Sequence, residues 1–335
     1  MVPKTKAPRI RFGIDARALR AGPAGIATYV SNLIQRIPEL RPLRQSWPRN
    51  NFVWNQLVPP VGALCEGWDL YHGPCYTGPL WIRSPVVVTA PDVCYLVNPE
   101  WYPYVLSQSR LAYYRASLRR ADRIIVTSEF SRHELARVLP EVEDKIRCTY
   151  LAASSEFCRS EEKAALVRRT HRLPEQFLLH VGDIHRRRNV PLLQSVSRRL
   201  GVPLVLVGRV LDPELGDQLG SWHFQNLTLN ELVGFYSAAN VLTYASHYEG
   251  FGLPLLEAFA CDLPVVAVAT SSIPEVCGNA AVQVEMDVED FAAGVTTALS
   301  RRSELIDLGR SRLKEFSWEM TAQATREIYQ ELLAR

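Results

Sequence analysis

Long hydrophobic runs are missing from this sequence of 335 residues: the most apolar stretches, such as 85–90 and 203–208, stay under ten residues, where a membrane-spanning helix needs about 20. A helical membrane span is therefore excluded. The basic residues Lys4, Lys6, Arg9 and Arg11 are not followed by an apolar segment of signal-peptide length, so the expected location is the cytoplasm. Paired cysteines are missing too. The seven cysteines (65, 75, 94, 148, 158, 261 and 277) are scattered without a Cys-x-x-Cys pair, which argues against a disulfide framework or a zinc site. No Asp-x-Asp pair occurs, and no bound metal is expected. Neither low-complexity tracts nor short repeats are present; 47% hydrophobic and 22% charged residues instead describe an ordinary folded chain. Its length suits two domains.

Charge is unevenly spread. Residues 1–160 hold 21 Lys and Arg against 13 Asp and Glu, a net +8; residues 161–335 hold 17 against 22, a net −5, which together give +3. A basic front half suits anionic lipid headgroups or a phosphate-bearing substrate. No nucleic-acid motif accompanies the charge, so nucleic acid is not an expected partner. Aromatic and basic residues mix over Pro99–Tyr104 and again over Leu111–Arg123, with Tyr113, Tyr114, Arg115, Arg119 and Arg120. Two readings stand side by side: a headgroup interface, or a helix with an aromatic core face and a basic solvent face.

Short β-branched runs alternate with helical patterns at 10–14, 86–89, 123–127, 177–181, 204–207, 241–244 and 264–268, the pattern of parallel sheets with crossover helices. A charged break over 157–174 separates two strand sets. Each set has a glycine-bearing turn after its first strand, Gly22 and Gly25 in front and Gly182 behind. The expected fold is α/β, two Rossmann-like doubly wound domains facing a cleft, with ligands at the C-terminal strand ends.

The most informative string is Glu249-Gly250-Phe251-Gly252-Leu253-Pro254-Leu255-Leu256-Glu257. Pro254 suits the first turn of a helix, which leaves Glu249 in the preceding loop and sets Glu257 on the helix. Gly250 and Gly252 let backbone N–H groups approach a ligand, and the positive helix end behind them favours a phosphate. An ionised Glu257 can accept from a vicinal diol such as a ribose, and Glu249 can bind hydroxyls of another ring.

This string, followed by Cys261-Asp262-Leu263-Pro264 and Ile273-Pro274-Glu275-Val276, resembles the signature of family 4 glycosyltransferases, which are retaining enzymes of the GT-B fold. Weaker matches run over most of the chain: Gly13-Ile14-Asp15-Ala16-Arg17, Gly25-Ile26-Ala27-Thr28-Tyr29, Val126-Thr127-Ser128-Glu129-Phe130-Ser131, Arg187-Arg188-Asn189 and Phe316-Ser317-Trp318-Glu319. The resemblance implies an acceptor-binding domain over 1–160, a nucleotide-sugar-binding domain over 161–316, and a helix over 317–335 that returns to the first domain. It places Glu249 near the donor sugar, Glu257 on the ribose, and Arg187 and Arg188 on the diphosphate; Gly25, Gly182, Asn230, Ser246, Gly250, Phe251, Gly252 and Leu253 join the donor site. Arginine suits the phosphate role, since its planar fork binds oxygens bidentately. Two departures stand out: Asp183 where members have an arginine, and Pro91-Asp92 where members have His-Asp. His72 and Asp92 are then the remaining catalytic candidates in the first domain. The implied donor is a GDP- or UDP-sugar, with no cofactor, and the implied acceptor is a glycan or a lipid-linked sugar, with peripheral membrane contact at the inner face through the basic domain. A non-catalytic partner of the same fold, or a sugar-nucleotide epimerase or hydrolase, stands as the alternative.

Overall fold

The computed structural model describes residues 10–21, 24–101, 107–216, 219–220 and 222–334. Among the described residues, twelve strands form two parallel sheets of six. The first comprises β1 (Phe12–Asp15), β2 (Leu40–Leu43), β3 (Leu70–Gly73), β4 (Val86–Ala90), β5 (Arg123–Val126) and β6 (Ile146–Cys148), in the order β2-β1-β3-β4-β5-β6. The second comprises β7 (Leu178–Val181), β8 (Leu204–Val207), β9 (His223–Phe224), β10 (Val241–Tyr244), β11 (Val265–Val268) and β12 (Val282–Val284), in the order β12-β11-β10-β7-β8-β9. The strand order reverses between β1 and β3 in one sheet and between β7 and β10 in the other. At such switch points the crossover helices leave for opposite faces, and a crevice opens at the carboxyl ends of the strands.

Burial explains which runs became central strands. All residues of β4, β5, β7, β8, β10 and β11 are buried, so they read as continuous apolar segments. The four edges, β2, β6, β9 and β12, escape the pattern. Leu40–Leu43 contains Arg41 and Pro42, β6 is three residues and β9 two; a strand covered on one side only needs no apolar run.

Polar side chains start the helices that matter for the site. Ser128 accepts from Ser131 N at 3.0 Å before the helix Glu129–Val138, and a capping box of Thr228 and Glu231 opens Leu229–Ala238. Each satisfies an N–H that the helix leaves unpaired. The helix Leu253–Ala260 has its proline in the first turn. It follows Gly252 at φ 105°, a backbone conformation that residues with a Cβ rarely adopt.

The C-terminal helix Trp318–Leu333 lies against the first sheet. Its Tyr329 ring meets Phe12 of β1 at 4.9 Å, Glu319 takes an ion pair from Arg36 at 2.8 Å, and Glu331 pairs with Arg123 of β5. Among the described residues, no helix is long and apolar enough to cross a membrane. The aromatic–basic stretch resolves into packing: in the helix Gln108–Arg120, Tyr114 stacks on Tyr76 at 5.6 Å and Tyr113 donates to Gly78 O at 3.0 Å. Its aromatic face therefore points inward, which corrects the headgroup reading for that helix; Tyr102 and Tyr104 lie outside the described residues, as do Lys4, Lys6, Arg9 and Gly22.

Candidate active site

The switch point of the second sheet gathers the charged residues. After β7 the chain turns through Gly182 and a single 3-10 turn, Arg186–Arg188; after β10 it runs through Ser246 to Glu249. Arg188 leans across from one connection to the other. Its Nη1 donates to Tyr244 Oη at 2.5 Å and Ser246 Oγ at 3.2 Å and forms an ion pair with Glu249. Gly182 lies beneath this guanidinium, with Arg188 Cζ 3.5 Å from where a Cβ would stand. Arg187 points the other way. Its Nη1 reaches Asp92 Oδ2, on the loop after β4 of the first sheet, at 3.2 Å.

Two adjacent buried cations are unstable without anions, and burial is the largest influence on both. It depresses Arg188, with repulsion from Arg187 adding and Tyr244 opposing. For Arg187 burial is outweighed only by Asp92, Cys94 and Tyr76 acting together, and the guanidinium is held charged above its ordinary value. Both arginines keep one buried Nε without a partner. The site therefore pairs fixed positive charge, at the end of a sheet, with carboxylates that diphosphate oxygens can replace.

The loop carrying Glu249 is clamped between the sheets. Gly250 O accepts from Ser128 Oγ at 2.7 Å and Thr127 Oγ1 at 3.1 Å, both at the end of β5. A Cβ on Gly250 would stand 2.1 Å from Pro91 O, so only glycine admits this approach. Behind the loop, Ser272 Oγ donates to Glu249 O and Phe251 O, each at 3.0 Å. Glu275 completes the clamp: its carboxylate accepts from Glu129 N at 2.7 Å and Phe130 N at 2.9 Å. An anion at a helix N-terminus is favoured by the helix dipole, and here it comes from the opposite sheet. Sequence reasoning quoted Thr127, Ser128 and Glu275 within motifs but gave them no role; their partners are more than a hundred residues away.

Glu257 sits on the first turns of Leu253–Ala260 and is partly exposed. Burial pushes its carboxyl up to about 7, against the opposing hydrogen bond from Tyr236, whose hydroxyl donates to Oε2 at 2.7 Å. Tyr236 was not foreseen, because nothing local to Leu229–Ala238 marks it. Gly25 lies exposed across the crevice, 3.6 Å from Leu253 Cδ1 measured from where its Cβ would be.

Several expected residues stand elsewhere. His72 is wholly buried: Nδ1 bonds Tyr329 Oη at 2.6 Å and Nε2 bonds Thr89 Oγ1 at 2.7 Å. With both nitrogens taken and burial depressing the ring to about 3, it ties the C-terminal helix to the first sheet and is not a catalytic group. The Phe251 side chain packs against Tyr150 and Phe316, so only its backbone belongs to the loop. Asn230 is exposed in the first turn of its helix, which Thr228 caps. Asp183 is held by Arg209, from the turn after β8, at 2.6 Å, so an ion pair stands after Gly182 where an arginine was expected. Arg186 turns outward to Asp212 at 3.4 Å.

Residues 175–301, which contain this whole charged cluster of the second sheet, match the family model described as glycosyl transferases group 1. The O-antigen chain mannosyltransferase B of Escherichia coli is 31% identical over 323 residues, covering 89% of this chain and 80% of that protein. Among solved structures, sucrose-phosphate synthase from Thermosynechococcus elongatus superposes with a TM-score of 0.77 at 21% identity, over 97% of this chain and 99% of that one. Anabaena HepE in complex with UDP-glucose gives 0.75 at 14%, over 97% and 100%. Two parallel six-stranded sheets closing on one charged crevice, the superpositions and a sequence match over 89% of the chain lead to one conclusion: the fold is GT-B, and the chain belongs to the group 1 glycosyltransferases.

Proposed function

We propose that the protein is a retaining, metal-independent hexosyltransferase of the family 4 kind, moving a mannosyl unit from a GDP- or UDP-linked donor to a hydroxyl of a glycan or lipid-linked acceptor in surface-polysaccharide synthesis. The observation that carries this reading is the pair Arg187–Arg188 at the second switch point, with one guanidinium reaching each wall of the crevice. A diphosphate placed there exchanges Asp92 and Glu249 for its own oxygens. The mannosyl choice is supported by the E. coli relative's name, and the nucleotide-linked donor by the UDP-glucose bound to HepE.

In this reading Arg187, Arg188 and the backbone N–H groups ahead of Leu253–Ala260 stabilise the departing diphosphate, the group on which charge develops in the transition state. Glu257 accepts from the ribose diol, and Glu249, released from Arg188, accepts from donor-sugar hydroxyls. Among the described residues, no side chain is positioned as a covalent nucleophile. The leaving phosphate itself takes the acceptor proton on the front face, so the anomeric configuration is kept. Asp92, together with Asp15 and Arg17 at the end of β1, offers polar contacts to the acceptor; Arg17 is held by Asp15 at 2.6 Å and stacks 3.5 Å over Trp54.

The test is calorimetric titration with GDP-mannose and a panel of UDP-sugars in the presence of a chelator, followed by transfer assays and NMR of the new linkage. Selective binding of one donor, lost in Arg188→Ala, with transfer that keeps the anomeric configuration, is the expected result. No binding of any nucleotide sugar, or an inverted product, sinks the reading.

A further inference from the structure

The helix Asn51–Glu66 carries an apolar face that nothing among the described residues covers. Inward, it buries Trp54, Asn55 and Pro59. Outward, Val53, Leu57, Val61 and Leu64 follow one another at spacings of four, four and three, which places them on one side of a helix; they are 38%, 52%, 55% and 80% exposed. Two tryptophans flank this stripe, Trp47 at 73% and Trp81 at 76% exposure. Both loops are fixed to the helix: Trp54 Nε1 donates to Gln45 O at 2.8 Å, and Leu80 N donates to Gln56 Oε1 at 2.9 Å. Phe52 meets Tyr113 at 5.0 Å, which brings the start of Gln108–Arg120 alongside. Contiguous apolar surface of this kind on a folded domain marks an interaction site.

Charge selects the partner. Arg44, Arg49, Arg83 and Arg110 are exposed around the stripe, and residues 40–65 contain no Asp or Glu. No carboxylate among the described residues pairs with any of these four arginines. An aliphatic stripe with tryptophans at its margins and unpaired cations at its rim matches the interfacial zone of an anionic bilayer, where aliphatic side chains enter the acyl boundary, indoles lie at headgroup depth and arginines meet lipid phosphate. The face also adjoins the crevice: Arg17 Nη2, at the end of β1, donates to Asn51 Oδ1 at 2.8 Å on the first turn of this helix.

We propose that the face formed by Asn51–Glu66, Trp47 and Trp81 is a docking surface for an anionic lipid bilayer, seating the acceptor end of the crevice at the headgroup level. Its purpose, presenting a lipid-linked sugar, rests on the proposed function; the docking itself does not.

Co-sedimentation of the full chain with vesicles of phosphatidylcholine and phosphatidylglycerol, against phosphatidylcholine alone, tests it. The expected result is binding to the anionic vesicles only, reduced at about 0.5 M salt, where charge is screened beyond about 4 Å. Leu57→Glu/Leu64→Glu lowers the partition about tenfold or more, and Arg49→Glu/Arg83→Glu lowers it at low salt, while both variants keep the wild-type melting temperature and donor affinity. Equal binding to both vesicle types, or no binding, overturns the proposal. So does a dimer in light scattering that Leu57→Glu/Leu64→Glu dissolves, which assigns the face to a second copy. Loss of donor binding in the wild type sinks the transferase reading and leaves the vesicle result standing.

Discussion

The carboxyl edges of the two sheets are built from different materials. The second sheet presents side-chain charge, with Arg187 and Arg188 on the connection after β7 and Glu249 and Glu257 on the one after β10. The first presents hydroxyls and backbone N–H groups, from Thr127, Ser128 and the start of Glu129–Val138, with the carboxylate of Asp92 and an Asp15–Arg17 ion pair. In the proposed function one edge holds an anion, and the other grips the loop that holds it. Side-chain charge needs precise burial and is expensive to rearrange, whereas hydrogen bonds to backbone groups can form and break as two domains approach.

Arg188→Ala attacks the charged edge directly and leaves Glu249 buried without its cation. The expected fall in kcat/KM is about 10²- to 10³-fold, measured with saturating acceptor; a larger loss from Asp92→Asn than from Arg188→Ala would reverse the assignment of charge to the second edge. His72→Ala removes two buried hydrogen bonds and opens a cavity, at a cost of about 2–4 kcal/mol in denaturant unfolding with donor affinity unchanged. His72 is depressed to about 3, below its unfolded value, so its contribution is present above about pH 6.5 and is lost as pH falls toward 3. The variant flattens that decline, though His180 and His185, depressed by burial to about 3 and about 2, preserve part of it.

Glu257→Gln sharpens the ribose assignment. The wild-type carboxyl is raised to about 7, and a diol donating to it favours the ionised form. Affinity for a sugar nucleotide, whose diphosphate does not titrate in this range, therefore rises from pH 6 to 8, by up to about tenfold per unit below the pKa. The variant shows weaker, pH-independent binding; a slope that survives in Glu257→Gln refutes the role. Glu275→Gln, on the gripping edge, removes an anion from a helix N-terminus worth about 0.3–1 kcal/mol. A rise of a few-fold in KM with kcat nearly constant is expected from steady-state kinetics, and a fall in kcat alone would contradict a clamping role.

What could be read from the sequence followed this same division. The residues of the charged edge lie within about fourteen positions of a strand end, so strand pattern and motif together located them. Most interior strands were legible because burial on both faces produces a continuous apolar run; β3, interior but with the sequence Leu70-Tyr71-His72-Gly73, produces none, and neither do β2, β6, β9 and β12 at the edges. His72 was misplaced for a related reason: at the end of a strand it resembles a crevice residue, and only Tyr329, 257 residues further on, shows that its ring is enclosed. The aromatic residues of Gln108–Arg120 turned out to be covered, whereas the apolar face of Asn51–Glu66, which the sequence reading did not single out, is left exposed. Both are amphipathic on paper, and the packing of neighbours decided which aromatic and aliphatic groups were covered.

Alone, the sequence determined the two parallel sheets, the helix behind Gly252 and the chemical character of the charged cluster, because periodicity, turn glycines and charge are local properties of the chain. Tertiary structure alone decided that Gly250 abuts Pro91, that Glu275 caps a helix of the opposite sheet, that His72 is sealed beneath Tyr329 and that Leu64 faces outward. Each of these is a contact between segments far apart in sequence, or the lack of one, and it is fixed by how whole elements pack rather than by any residue's neighbours in the chain.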